Sequence, residues 1–317
     1  MDFTILEINE WCAENKIDLW GIAPFPNKQQ LDKLYLDNLP DSLNYLKKDV
    51  WENPKSYLPW ARSVIIAAYP YNSTRENSNE ITKKGKVWIS RYAFGEDYHK
   101  VLRKKLKPLK DILIKNGYNA KICVDSFPIL ERSLALKAGL GFIGKNGLLI
   151  NPVFGSFLFL AEIVTDLEMN QSFAPKSFKK DFCQNCQKCV SACPTKALMG
   201  DGRVNPSKCI SSYNVEWKGA LPEKTPPFFG NLFGCDICQE ICPFNKNAPL
   251  TQEIAFRPQE GLFAPSISDL LKHNEKEIDE MIKKTPLKRR GASQIIENLK
   301  KIISDAQTKS EDTELSS

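Results

Sequence analysis

Histidine is scarce in this chain: His99 and His273 are the two present in 317 residues. Multi-histidine metal sites are thereby excluded, and a histidine-ligated haem is argued against. No apolar run approaches the ~18 residues that cross a bilayer. The longest, Ser63–Tyr69 and Phe157–Val164, have the length of strands. The opening residues MDFTILEINE are acidic and lack the basic flank of a secretory signal. A cytoplasmic protein without membrane association is expected. With 16 glycines and 20 prolines, the composition is not that of a fibrous or low-complexity protein. Charge of one sign is not in large excess either. Forty-four Lys and Arg stand against 38 Asp and Glu, and the net +6 permits an anionic partner without demanding one.

What is present is enough chain for more than one core. Apolar spacing predicts a helix over 3–16 and strands over 19–23 and 63–71. Residues 26–60 read as short helices and loops. A helix is expected over 97–116, kinked or broken at Pro108. A strand over 119–124 and a helix over 128–138, opening at Pro128 and stopping at Gly139, come next. Two strands flank the turn 152–155. This alternation gives an α/β or α+β class. Three regions are expected: a catalytic domain over 1–170, a cysteine-rich domain over 171–250 held by metal rather than by a core, and a helical segment over 251–317 with a disordered tail from Thr308.

Cysteine is the informative residue. Eight of the ten lie between Cys183 and Cys242, so they form a local metal site and not a disulfide framework. Cys12 and Cys123 sit in apolar patterns and read as core thiols. The first run is Cys183-x2-Cys186-x2-Cys189-x3-Cys193-Pro194, the two-cluster ferredoxin spacing in which the fourth cysteine serves the other cluster. The second is Cys209, then Cys235-x2-Cys238-x3-Cys242-Pro243. Crossing the fourth ligands assigns Cys183, Cys186, Cys189 and Cys242 to one 4Fe–4S cluster, and Cys193, Cys209, Cys235 and Cys238 to the other. Cys209 lies 26 residues before Cys235, which makes it the least regular of the eight. Structural zinc also uses C-x2-C pairs, but the Cys183/Cys186/Cys189 triple fits it poorly.

Other motifs tempt. Gly139-x-Gly141-x-x-Gly144 has the dinucleotide spacing, yet a helix precedes it and strands follow. It reads as a tight turn, compatible with close backbone approach to a flat ligand. Asp97-x-His99 opens a cobalamin axial-histidine motif whose glycine position is Leu102, so that motif is absent. Asp125 follows an apolar strand, where ligands gather, but an N-cap for the next helix is the plain reading. A proton-donating Asp125 would need burial to hold its proton. Basic groups at 103–110, at 283–290 and at Lys176, Lys179 and Lys180 read as solvated faces when taken singly. With Tyr213, Trp217, Phe228 and Phe229 they could hold a folded RNA through phosphate contact and base stacking.

SRYAFGEDYHKVL (90–102), VDSFPILERSLALKAGLGFIGKNGLLI (124–150) and the double cysteine run together resemble the epoxyqueuosine reductase family. The similarity covers about residues 1–250 and continues weakly to 300. The C-terminal helical repeats of longer members are not present. The resemblance implies an α+β fold, with a cobalamin-binding domain like that of reductive dehalogenases beside a two-cluster ferredoxin-like domain. It implies reduction of epoxyqueuosine to queuosine at the tRNA wobble base. Two 4Fe–4S clusters would feed base-off cobalamin, whose Co(I) attacks the epoxide. It implies Asp125 as the proton donor, and Arg91, Tyr92, Asp97, His99, Ser126, Lys145, Asn146 and Glu216 as residues lining the corrin or nucleoside pocket. The partners would be the modified tRNA and an external low-potential donor, ferredoxin or flavodoxin, with the protein a monomer. Two alternatives stay open: a dehalogenase-like enzyme acting on a small molecule, and a ferredoxin-type electron carrier without catalysis.

Overall fold

The computed structural model of the protein describes residues 5–30, 36–37, 39–168 and 180–314. Eight strands occur among them: β1 (Trp20–Pro24), β2 (Ser63–Pro70), β3 (Trp88–Ile89), β4 (Ala120–Cys123), β5 (Phe142–Ile143), β6 (Leu149–Ile150), β7 (Leu158–Thr165) and β8 (Asn231–Phe233). The main sheet has the order β1-β2-β7-β4, and every pairing in it is antiparallel. The class is therefore α+β and not a doubly wound parallel sheet.

The near-continuous apolar run in β2 follows from cover on both faces. Ile65 and Ala67 point to the helices Ile5–Glu14 and Tyr98–Lys115, whereas Val64, Ile66 and Ala68 point to the helix Glu131–Lys137. Alternation along a strand sends neighbours to opposite faces, so a strand buried twice shows no polar beat.

Pro108 neither breaks nor ends its helix, which runs unbroken over Tyr98–Lys115. The proline is exposed, as is Lys104 one turn earlier. The carbonyl that loses its partner can therefore turn to water. The next helix opens at Glu131, three residues later than Pro128 suggested. Tight backbone bonds from Ile129 N to Phe127 O and from Glu131 N to Ile129 O hold the chain out of helical geometry first. Gly139 ends that helix as expected: its φ is +74°, and Leu140 N returns to Ala135 O. The turn 152–155 is closed by an Asn151–Gly155 bridge, but its flanking strands diverge. β6 pairs with β5, and β7 enters the main sheet.

The cysteine-rich region is not held by metal alone. β8 pairs in parallel with β3, and Phe228, Leu232 and Phe233 share one apolar core with Trp88, Phe94, Ile278 and Ile295. That core crosses both expected domain boundaries, 170/171 and 250/251. The last helix, Ala292–Glu314, continues through most of the expected disordered tail. Lys176, Lys179 and residues 315–317 lie outside the described residues. No helix among the described residues is long and apolar enough to cross a membrane.

Candidate active site and cysteine module

Asp125 stands just past the end of β4 with φ +47°, the left-handed region that few side chains other than Asn and Asp tolerate. It is not a helix cap, because the following helix starts at Glu131 with Leu130 before it. Its own N–H donates to Glu131 Oε1 at 2.7 Å, which holds the loop in that conformation. Its carboxylate is half-exposed and accepts the Tyr98 hydroxyl at 2.6 Å.

Tyr98 is itself buried, and its ring stacks on Phe159 of β7 at 4.3 Å and on His99 at 4.1 Å. Burial, and then the neighbouring Asp125 carboxylate, hold its phenol well above the ordinary value, so it stays a donor. The ring of His99 is held between two carboxylates. Its Nδ1 lies 2.7 Å from Asp97 Oδ1, and its Nε2 lies 3.8 Å from Asp125 Oδ2. Burial pushes Asp97 upward, but the His99 side chain and N–H outweigh that, so its carboxyl is lowered. Asp97 also caps the helix Tyr98–Lys115 through His99 N.

Beside this group opens a cleft of about 300 Å³ lined by Tyr45, Tyr92, Ser211, Ser212 and Glu216. Tyr92 meets Tyr98 edge-on at 6.3 Å. Its phenol is held well above the ordinary value by burial first and then by Glu216 and Asp125, which ties cleft and loop together electrostatically. Arg289 pairs with Glu216 at 2.8 Å. Arg290 donates to Glu216 O at 3.2 Å, while its Nε and Nη2 are buried with no acceptor among the described residues. Burial lowers the Arg290 guanidinium, against the opposing pull of Glu216.

The eight thiols fall into two groups by proximity. Cys242 is raised by burial and then by Cys183, Cys189 and Cys186. Cys235 is raised by burial and then by Cys209, Asp236 and Cys193, and Cys238 by burial and then by Cys235 and Cys209. Cys238 also feels Cys189, so the groups adjoin. Among the described residues no three of these side chains converge on a single-ion site. The first group is bordered by exposed chain at Phe182, Gln184 and Lys188, whereas the second abuts buried Asp236, Ile237 and Gln239. Ser211 and Ser212, on the cleft wall, lie two and three residues after Cys209 in sequence. Cys12 and Cys123 are buried core thiols, both pushed up to about 12 by burial.

The other expected pocket residues divide. Tyr92 and Glu216 line the cleft, and Asp97 and His99 line an adjoining hollow with Lys283 and Arg289. Ser126 accepts Arg103 Nη2 at 2.6 Å beside the Asp125 loop. Lys145 reaches Gln184 O at 2.9 Å, on the cysteine module. Asn146 is buried, with its Nδ2 unpartnered among the described residues. Arg91 lines neither of these two hollows. It is 4% exposed and committed to Asp236 and Glu240, because the chain folds two buried carboxylates around it. Tyr213 and Phe228 are core residues, so they cannot stack on bases. Gly141 and Gly144 pack against Ile150, where a Cβ would collide, so local packing accounts for that glycine turn. Several cations of the basic runs already face carboxylates: Lys105 with Glu253, Lys107 with Asp111, Lys288 with Asp279. Tyr98 and the carboxyls Glu131 and Glu162 were missed. Glu162 alone left a signal, as the one charge inside the apolar strand β7.

Comparison with known proteins shows what the chain is similar to. Residues 52–126 match the family described as epoxyqueuosine reductase QueG, DUF1730, and residues 182–245 match a 4Fe-4S double cluster binding domain. The epoxyqueuosine reductase of Francisella cf. novicida (strain Fx1) is 34% identical over 94% of this chain and 84% of its own. That of Escherichia coli (strain K12) is 35% identical over 80% of this chain and 67% of its own. A solved epoxyqueuosine reductase bound to an epoxyqueuosine-modified tRNA-Tyr stem loop superposes with TM-score 0.75 at 29% identity, covering 95% of this chain and 80% of the other. A Bacillus subtilis epoxyqueuosine reductase, with the catalytic loop that carries an aspartate swung out of its active site, gives TM-score 0.77 at 28% identity over 95% and 82%.

Proposed function

The chain belongs to the epoxyqueuosine reductase family, an oxidoreductase family, and from that premise we propose that it reduces epoxyqueuosine to queuosine at the wobble position of tRNA. Two 4Fe–4S clusters and base-off cobalamin are the proposed cofactors. One observation carries the reading. A half-exposed carboxylate with a buried phenol donor at 2.6 Å is joined through Tyr92 to a cleft lined by Ser211 and Ser212, two and three residues after Cys209. The cleft thus borders both the Asp125 loop and the chain that carries Cys209.

The residues suit the groups. Cys183, Cys186, Cys189 and Cys242 would hold the outer cluster, and Cys193, Cys209, Cys235 and Cys238 the inner one. The outer group is the natural point of entry for electrons from a ferredoxin or flavodoxin. The buried, unpartnered donors of Arg290 beside Tyr92, and Asn146 Nδ2, match the amide carbonyls that rim a corrin. Both ring nitrogens of His99 face carboxylates, which agrees with cobalamin held without a histidine ligand. When bound, cobalamin supplies the reduced cobalt nucleophile.

The chain's own part is to hold the proton and exclude water. Asp125 gives its proton to the epoxide oxygen as the C–O bond opens. An aspartate on the catalytic loop of the Bacillus subtilis relative supports that role. Tyr98 fixes the direction of the Asp125 carboxyl, and His99, anchored by Asp97, flanks it. A nucleoside covering the Asp125 loop would exclude water from it.

The test is anaerobic turnover of an epoxyqueuosine stem loop with a chemical reductant, with and without cobalamin, read by mass of the nucleoside. Conversion that needs cobalamin is expected; conversion indifferent to it rejects the cofactor. Cys209→Ser should leave about four irons per chain instead of about eight. Undiminished iron and sulfide would remove Cys209 from the ligand set.

The stem loop is proposed to lie along Lys100, Lys283 and Arg289, which border the hollow beside His99. Neutralising Lys283, Lys288 and Arg289 should weaken binding and flatten its dependence on log salt by ~0.7–0.9 per cation that meets a phosphate. An unchanged slope between low and moderate salt would make that run a solvated face.

A further inference from the structure

Beneath the Asp125 loop lies a pair of carboxyls with no part in the steps above. Glu162 sits on β7 directly opposite Cys123 of β4, two residues before Asp125. It is fully buried, and neither of its oxygens meets a donor among the described residues. The polar group that reaches it is the Glu131 carboxyl. Two carboxylates hold no hydrogen between them, so that contact is a hydrogen bond only when one of them carries a proton. A buried carboxylate with no donor costs several kcal/mol, and a second negative charge in contact adds to the cost. Burial, then Asp125, push Glu131 up to about 8, and burial, then Glu131, push Glu162 further. The remaining charged neighbours are few. Arg132 faces the pair from the helix and lowers Glu131, and Cys123, on β4, is held as a neutral thiol. On its other side Glu131 accepts the Asp125 N–H.

Reduction of an epoxide to an alkene consumes two electrons and two protons. Both C–O bonds break, and the oxygen leaves as water. The electrons come from the external low-potential donor. One loading of Asp125 provides one proton, to the oxygen freed by the first C–O cleavage. The second must arrive while the RNA covers the cleft.

We propose that Glu131 and Glu162 share one proton beneath the Asp125 loop and return it to Asp125 after the first transfer, making the pair the source of the second proton. The pair acts through Asp125 and so is a positioning and proton-holding unit, not a catalytic one. The inference rests on the reading of Asp125 as the acid.

Two measurements on the full, cluster-reconstituted protein test it. Infrared difference spectroscopy without substrate should show a protonated carboxyl at neutral pH that disappears in Glu162→Gln. In turnover of the modified stem loop, the wild-type kcat should fall only as pH rises past about 8, because Glu162 lies above Glu131 and the pair keeps its last proton beyond that point. Glu162→Gln removes one holder, and the new amide N–H can donate to Glu131, so the Glu131 carboxylate gains a partner and holds its proton less tightly. The variant's descending limb should therefore move down by a unit or more. About a 10-fold loss of kcat is expected near neutrality, with recovery at acid pH and KM and iron content unchanged. A purely structural role would lower kcat equally at every pH. An absent infrared band, or a limb that does not move, overturns the proposal. If Glu162→Gln loses iron, Glu131→Gln carries both readouts in its place. A wild-type protein that shows the band yet converts no stem loop would fail the proposed reaction and leave the shared proton standing.

Discussion

Asp125→Asn should lower turnover of the modified stem loop by ~10²–10⁴-fold, the usual worth of a positioned general acid, while iron, cobalamin and stem-loop binding stay at wild-type levels. The substitution is close to isosteric. The left-handed backbone at φ +47° is as accessible to Asn as to Asp, so the loop is retained. Tyr98 can still donate to the amide oxygen, and Glu131 still accepts the backbone N–H at 2.7 Å, because that bond does not involve the side chain. What is removed is the acidic proton alone. The measurement is single-turnover rate against stem-loop affinity in the same preparation. A loss confined to affinity would make Asp125 a binding residue, and a rate within threefold of wild type would take it out of the chemistry.

The site was legible where chemistry is written locally. Three thiolates at x2 spacing wrap one corner of a cube whatever surrounds them, so the cysteine runs announce themselves over a few residues. Asp125 was visible as a carboxylate at the end of an apolar strand. Its cap reading failed because two tight turns after Phe127 delay the helix to Glu131, an effect of packing on a short loop. Pro108 misled in the same way. The rule against proline in a helix presumes a buried carbonyl one turn back, and here that carbonyl faces water.

The remainder depends on distant partners. Tyr98 occupies an ordinary apolar position of its helix, and it becomes a donor because β4 delivers Asp125 to it from 27 residues away. The main sheet could be read as parallel or antiparallel from its strands alone, because cover on both faces erases the alternation that marks an antiparallel surface. The C-terminal helices read as a separate segment since amphipathic periodicity shows that a face is buried, not against what. Their partner is β8, in the middle of the cysteine region.

Arg91 shows the largest consequence of such a distant partner, and Arg91→Met should destabilise the protein by ~3–5 kcal/mol. The guanidinium is 4% exposed, 3.0 Å from Asp236 and 2.6 Å from Glu240, which are 0% and 4% exposed. Its Nε donates to Asn72 at 3.1 Å, and its plane lies 4.9 Å from both Trp88 and Phe157. Met fills much of that volume, so the loss is electrostatic: two buried carboxylates lose the cation between them. Asp236 keeps Trp88 Nε1 at 3.0 Å and Ser90 Oγ at 2.5 Å, and Glu240 keeps Ser78. The charges stay hydrogen-bonded but face each other uncompensated, and Glu240, already raised by burial, should take up a proton. The damage should reach the inner thiol group, because Asp236 lies between Cys235 and Cys238. Anaerobic urea unfolding should show the lower midpoint, and chelator competition should strip iron faster from Arg91→Met than from wild type. A shift below ~1 kcal/mol would mean that water or a local rearrangement neutralises the pair, and that the loop holding Cys235 and Cys238 owes its position to the cluster rather than to the ion pair beneath it.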